Sequence, residues 1–174
     1  MNNQGLTLIE LVIYTAAFII VITILTLFAF SLIQAQAKIR ISKEVLDNSQ
    51  RAMEIMLLEI KHAKDIYSPT SVFGTQPGQL TLETTRNTPE GEAITYLDFY
   101  LDGNDRLCLK REGAEPEALT SENIKINNLV FNYLVASSTE SVQIQISTSY
   151  SQPVGKIGYQ ATTTLTATAS LRND

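Results

Sequence analysis

LVIYTAAFIIVITILTLFAFSLI, residues 11–33, contains no charged side chain, and none occurs anywhere between Glu10 and Lys38. At ~1.5 Å rise per residue, a helix of this length covers the ~30 Å hydrocarbon core of a bilayer. Its many β-branched residues would lower helicity in water. In lipid the backbone has no hydrogen-bond partner but itself, so a membrane-spanning helix is expected here.

Past Lys38 the composition changes, and charged, polar and apolar residues alternate as in a water-soluble protein. The 174 residues allow one modest domain besides the span. The formal net charge of −5 is unevenly held: from Ile66 onward seven Lys/Arg face twelve Asp/Glu. Such an acidic head repels phosphate backbones, and no general nucleic-acid binding is expected of it. A single cysteine, Cys108, excludes an intramolecular disulfide, and a single histidine, His62, argues against a His-based metal or catalytic cluster. Cys108 alternates with Leu107 and Leu109 and reads as a packed strand residue rather than a reactive thiol.

Three readings compete for the N-terminal segment. Ala35-Gln36-Ala37 has the small-x-small form of a signal-peptide cleavage site. Against it, MNNQ carries no Lys or Arg, and the apolar run exceeds the usual ~7–15 residues of a secretory h-region. The second reading is a simple signal anchor on a membrane-tethered receptor or adhesin head. Here Lys38, Arg40 and Lys43, just after the span, would place the head in the cytoplasm by the positive-inside rule.

The third reading rests on Gly5-Leu6-Thr7-Leu8-Ile9-Glu10. This hexapeptide, followed by an apolar helix, resembles the prepilin-type cleavage-methylation motif of type IV pilins and pseudopilins. The resemblance implies that prepilin peptidase, a membrane aspartyl peptidase, cuts between Gly5 and Leu6 and that Leu6 becomes the N-methylated first residue. It also implies a single pass through the cytoplasmic (inner) membrane with the head outside, against the charge bias, and later a periplasmic or cell-surface filament. The leader lacks the Lys or Arg common in prepilins, Leu6 stands where Phe or Met is more usual, and no proline precedes Pro69. These departures favour a minor subunit over a major pilin.

Glu10 admits two roles. An unpaired carboxylate moved to the membrane centre costs about 2.5–3.5 kcal/mol, so something must compensate it. The resemblance implies that it pairs with the free amino terminus of a neighbouring subunit and sets axial register during assembly. The local alternative is a capping box, Thr7-x-x-Glu10, at a helix N-terminus. The two can hold at different stages.

Val45, Ala52, Met56, Ile60, Ala63 and Tyr67 recur at helical spacing among charged residues, which predicts an amphipathic stem helix. No Gly or Pro lies between Leu6 and Ser68 to interrupt it. Loop is expected over residues 71–78, and strands over 79–85, 94–101, 106–111, 123–135 (interrupted near Asn127-Asn128), 141–150 and 159–171. Gln143-Ile144-Gln145-Ile146 and Thr164-Leu165-Thr166-Ala167 show the alternation of a sheet with one wet face. The expected fold class is α+β: a long N-terminal helix, span plus stem, packed on a C-terminal antiparallel β-sheet head, as in pilins. The expected organisation is leader 1–5, transmembrane or filament-core helix 6–37, stem 38–67 and β-rich head 68–174. Within the family the chain looks like the minor pseudopilin J and minor pilin W group. That narrower likeness lies in Gln50-Arg51, Glu59-Ile60, Ala63, Ile66, Ile94-Thr95-Tyr96-Leu97, Leu107, Lys110-Arg111 and Ser170-Leu171-Arg172-Asn173.

Other candidate sites read as structural. Asp98, Asp102, Asn104 and Asp105 present hard oxygen ligands suited to Ca²⁺, but EF-hand spacing and its closing Glu are missing. Asp102-Gly103-Asn104-Asp105 is also what a tight hairpin requires. Met53 and Met56 suit core packing, and Tyr96, Tyr100 and Tyr133 suit strand packing. Glu90 and Glu92 fall in a solvated loop. No phosphate loop, nucleophile elbow, CxxC or HExxH occurs. The expectation is a non-enzymatic filament subunit without cofactor or metal. Its expected partners are other pilin subunits, prepilin peptidase and, before assembly, membrane lipid.

Overall fold

The computed structural model describes residues 7–136, 139–151 and 161–172. The chain divides into two compact units, Met1–Ile39 and Arg40–Asp174. The helix α1 (Leu8–His62, 55 residues) contributes to both.

In the first unit the apolar side chains of α1 are exposed around its whole circumference. Leu11, Val12, Ile13 and Tyr14 point in successive directions about the axis, and all four are more than half exposed. Hydroxyls in this segment bond back to their own helix. Thr15 donates to the Leu11 carbonyl at 3.0 Å, Thr23 to Ile19 at 2.8 Å, Thr26 to Ile22 at 2.8 Å and Ser31 to Phe28 at 2.8 Å. A helix that satisfies its polar groups internally can lie in hydrocarbon without stranding them. Among the described residues α1 is the one helix long and apolar enough to cross a membrane, judged by length and composition.

In the second unit α1 becomes one-sided. Val45, Ser49, Ala52, Met53, Met56 and Ile60 are buried, at spacings that place them on one face. The helix ends at His62, five residues short of the expected stem boundary at 67. Ala63 N–H reaches back only to the Ile60 carbonyl at 3.2 Å, and Lys64 N–H donates instead to Glu83 O at 2.8 Å. Asp65–Ile66 then form β1 against β2, and Tyr67 N–H donates to Thr81 O at 2.9 Å. Sheet pairing offers this segment partners that another helical turn would deny it, and Ile66 and Tyr67 are better strand than helix residues. Ala63 and Ile66 are buried all the same, whereas Tyr67 is exposed and its ring lies 4.9 Å from that of Tyr96.

Two antiparallel sheets replace the expected single one. In the first, β1 (Asp65–Ile66), β2 (Leu80–Thr84), β3 (Thr95–Leu101), β4 (Leu107–Arg111) and β5 (Glu117–Ala118) lie in sequence order. In the second, β6 (Ile124–Ala136), β7 (Thr139–Tyr150) and β8 (Thr162–Ser170) do the same. The division has a local cause. The loop before β2 occupies the free edge of β6: Gly74 N–H donates to Phe131 O and Gly78 N–H to Leu129 O, both at 2.8 Å. That edge is therefore closed to strands of the first sheet. The expected break at Asn127-Asn128 is a β-bulge within a continuous β6, where Ile126 pairs with Thr148 and Asn128 with Ser147.

The stem face of α1 and the inner faces of both sheets share one core. It contains Ala52, Met56 and Ile60 from the helix, Leu80, Leu97 and Phe99 from the first sheet, and Phe131, Ile144 and Ile146 from the second. Polar contacts also fix the helix on the head. The buried Ser49 hydroxyl meets the buried Thr148 hydroxyl of β7. Arg111 of β4 pairs with Glu59 at 2.7 Å, and Ser121 N–H donates to Asn48 Oδ1 at 3.1 Å. The layout is α+β.

Candidate functional site

The helix begins with a reciprocal cap. Thr7 N–H donates to Glu10 Oε2 at 3.1 Å, the Thr7 hydroxyl donates to the same oxygen at 3.0 Å, and Glu10 N–H donates to Thr7 Oγ1 at 3.4 Å. Leu11 N–H follows with the first helical bond, to Thr7 O at 3.2 Å. This is the capping box read from the sequence, with the carboxylate near the positive end of the helix dipole. Glu10 is exposed and is the one acidic residue of the first turn. The same carboxylate thus caps its own helix and remains reachable by an external cation. Gly5 and Leu6, the expected cleavage and methylation positions, lie outside the described residues, as do Tyr159, Gln160 and Asn173.

The Asp102–Asp105 segment is a hairpin turn joining β3 to β4. Asp102 Oδ1 accepts from Asn104 N–H at 2.8 Å and Arg106 N–H at 2.9 Å, and Oδ2 pairs with the Arg106 guanidinium at 2.8 Å. Burial alone would raise the Asp102 pKa, but the Arg106 and Asn104 amides and the Arg106 guanidinium outweigh it and hold the carboxyl below its ordinary value. Asp105 adopts φ +59°, the left-handed conformation that Asp and Asn tolerate best after glycine. Asp98 is engaged elsewhere, accepting from the Thr81 hydroxyl at 2.6 Å. The Asp98 and Asp102 oxygens serve the sheet and the turn, Asp105 Oδ2 lies 3.9 Å from Lys125 Nζ, and no cluster of three or more His, Cys, Asp or Glu suited to a metal occurs among the described residues.

Cys108 is buried on β4 beside Tyr100 and Ala118, on the strand face opposite Leu107 and Leu109. Burial pushes its thiol pKa up, away from the reactive thiolate. Met53 and Met56 are buried in the core. Tyr96, Tyr100 and Tyr133 lie half-buried on their strands, where burial raises each phenol pKa. Tyr133 stacks on Phe73 with ring centroids 5.6 Å apart. His62, exposed at the end of α1, bonds through Nδ1 to the Leu58 carbonyl. Glu90 and Glu92 are exposed.

Sequence reasoning missed one grouping. Lys61, His62 and Lys64 at the end of α1, Arg86 after β2 and Arg172 after β8 line a concavity of about 520 Å³. These side chains come from three separate chain segments, and only the closeness of Lys61, His62 and Lys64 in sequence hints that any of them are neighbours. No family model, no curated protein and no solved structure matches this chain.

Proposed function

We propose that the chain is a minor pilin or pseudopilin, a structural subunit of a type IV pilus or type II secretion-like filament, held first in the inner membrane by α1. In this reading prepilin peptidase removes residues 1–5 and methylates Leu6, the head lies outside the membrane, and the head and stem adopt a pilin-like fold. The observation that carries the reading is the start of α1. One exposed, capped carboxylate stands at the head of an uncharged helical segment, residues 11–33, whose apolar side chains are exposed on all sides and whose Thr and Ser hydroxyls bond back to the helix.

Such a surface needs an apolar environment, and lipid and neighbouring copies of the same helix both supply one. The carboxylate distinguishes them. In lipid it stays at the interface, whereas among packed helices it must meet a cation. An amino terminus created just before it on a neighbouring helix provides that cation and fixes the axial offset, because a misplaced copy leaves both charges unpaired. Subunits are exchanged between membrane and polymer, and nothing in the reading requires catalysis by this chain.

Two substitutions test it. Gly5→Ala is expected to reduce leader removal by prepilin peptidase. Glu10→Ala is expected to leave membrane insertion intact while abolishing recovery of the subunit in sheared filaments. Normal incorporation of the Glu10→Ala protein would rule out the pairing role, whereas a wild-type chain never recovered in sheared filaments would favour the simple anchor.

A further inference from the structure

The concavity at the end of α1 contrasts with the rest of an acidic chain. Of thirteen Lys and Arg residues, four (Lys61, Lys64, Arg86 and Arg172) line it, and among the described residues no Asp or Glu does. Lys64 is held by Glu83 at 2.8 Å, and Arg172 also has a partner within the chain. Lys61 and Arg86 are exposed, and among the described residues neither makes an ion pair. A concave surface with two unneutralised cations, flanked by two more, favours an anionic occupant.

The β4–β5 turn carries the opposite charge. Glu112, Glu115 and Glu117 are all exposed within six residues. The turn has a defined shape, with Ala114 N–H bonded to Arg111 O at 3.0 Å and Gly113 at φ +72°. Its root lies close to the rim of the concavity. Glu112 Oε2 accepts from Tyr96 N–H at 3.2 Å, Tyr96 is the cross-strand partner of Glu83, and Glu83 holds Lys64. A basic hollow beside an acidic projection lets the hollow of one copy face the projection of the next, a head-to-tail contact that can repeat along a polymer.

We propose that the concavity lined by Lys61, Lys64 and Arg86 binds the Glu112–Glu117 turn of a second copy of this chain. This contact would join heads side by side. It deepens the filament reading and rests on it for its setting, but its own test requires no processing of the N-terminus.

Full-length chain in detergent micelles, mixed from ¹⁵N-labelled and unlabelled preparations, is treated with a zero-length carbodiimide that joins touching amines and carboxylates. Mass spectrometry of the peptides is expected to show mixed-isotope links from Lys61 or Lys64 to Glu112, Glu115 or Glu117. Arg86→Glu, an exposed substitution outside the core, should reduce their yield roughly fivefold or more, and so should raising the salt from ~0.05 to ~0.5 M. Links confined to single-isotope peptides, or mixed links that Arg86→Glu leaves unchanged, would overturn the proposal. So would Arg86-dependent binding of vesicles rich in anionic lipid when no mixed links form, since the occupant would then be a headgroup. If the mixed links form while residues 1–5 remain uncleaved in cells, the head contact stands and the filament reading fails.

Discussion

At Glu10 the backbone and the membrane make different demands on one carboxylate. The helix start uses it as a cap for the Thr7 amide and hydroxyl, and its exposure leaves it open to a second partner. Both uses could be read from Thr7-x-x-Glu10 followed by an uncharged run, because capping and intramembrane cost depend on local spacing. Asp102 is a second residue whose role was legible locally, since Asp-Gly-Asn-Asp is hairpin chemistry. Its folded pKa is depressed, so its stabilising contribution is complete above the ordinary carboxylate value of about 3.9. That contribution is lost as pH falls through the lower folded value. Asp102→Asn should therefore destabilise the head at pH 6, with the difference from wild type shrinking toward pH 3. Urea titrations of the full chain in detergent, followed by tyrosine near-UV circular dichroism, check this. A penalty that stays constant across that range would exclude the ionised carboxylate as its source.

Among the elements, the six longer strands and the stem face of α1 followed from periodicity, while the two-residue strands β1 and β5, the helix end and the sheet partition did not. The pattern Ile60, Ala63, Tyr67 continues at helical spacing beyond His62, but the Glu83 and Thr81 carbonyls take the amides of Lys64 and Tyr67. That competition comes from a strand about twenty residues later, which a local window does not see. The split into two sheets likewise depends on the loop across residues 71–78 sealing the edge of β6. Gly78 is where this loop comes closest: a Cβ there would stand 3.0 Å from Leu129 O and 3.0 Å from Phe131 Cδ2. The carbonyl belongs to a paired strand and cannot easily retreat. Gly78→Ala should accordingly cost about 1–3 kcal/mol of head stability. Hydrogen exchange should show the Leu129–Phe131 region opening first. Wild-type stability with unchanged protection would mean that the loop is not fixed to the β6 edge.

For the molecule as a whole, charge distribution was the most legible property and charge geometry the least. The uncharged span, the balanced stem and the acidic head are visible by counting, and such a head is expected to repel phosphate backbones. The gathering of Lys61, Lys64, Arg86 and Arg172 is invisible to counting, because three separate chain segments meet only in the folded unit. The apolar part of α1 shows the reverse case: composition alone specifies the surroundings it needs, and its amphipathic continuation packs as a globular helix does. In the proposed reading, the helix gains a new amino terminus near Glu10 before it moves from lipid into a polymer, and this would leave a definite chemical trace. Intact mass spectrometry of the protein extracted from membranes reads that trace. Loss of MNNQG together with addition of one methyl group is the predicted result. A protein that still begins at Met1, or one newly begun at Lys38, would contradict it.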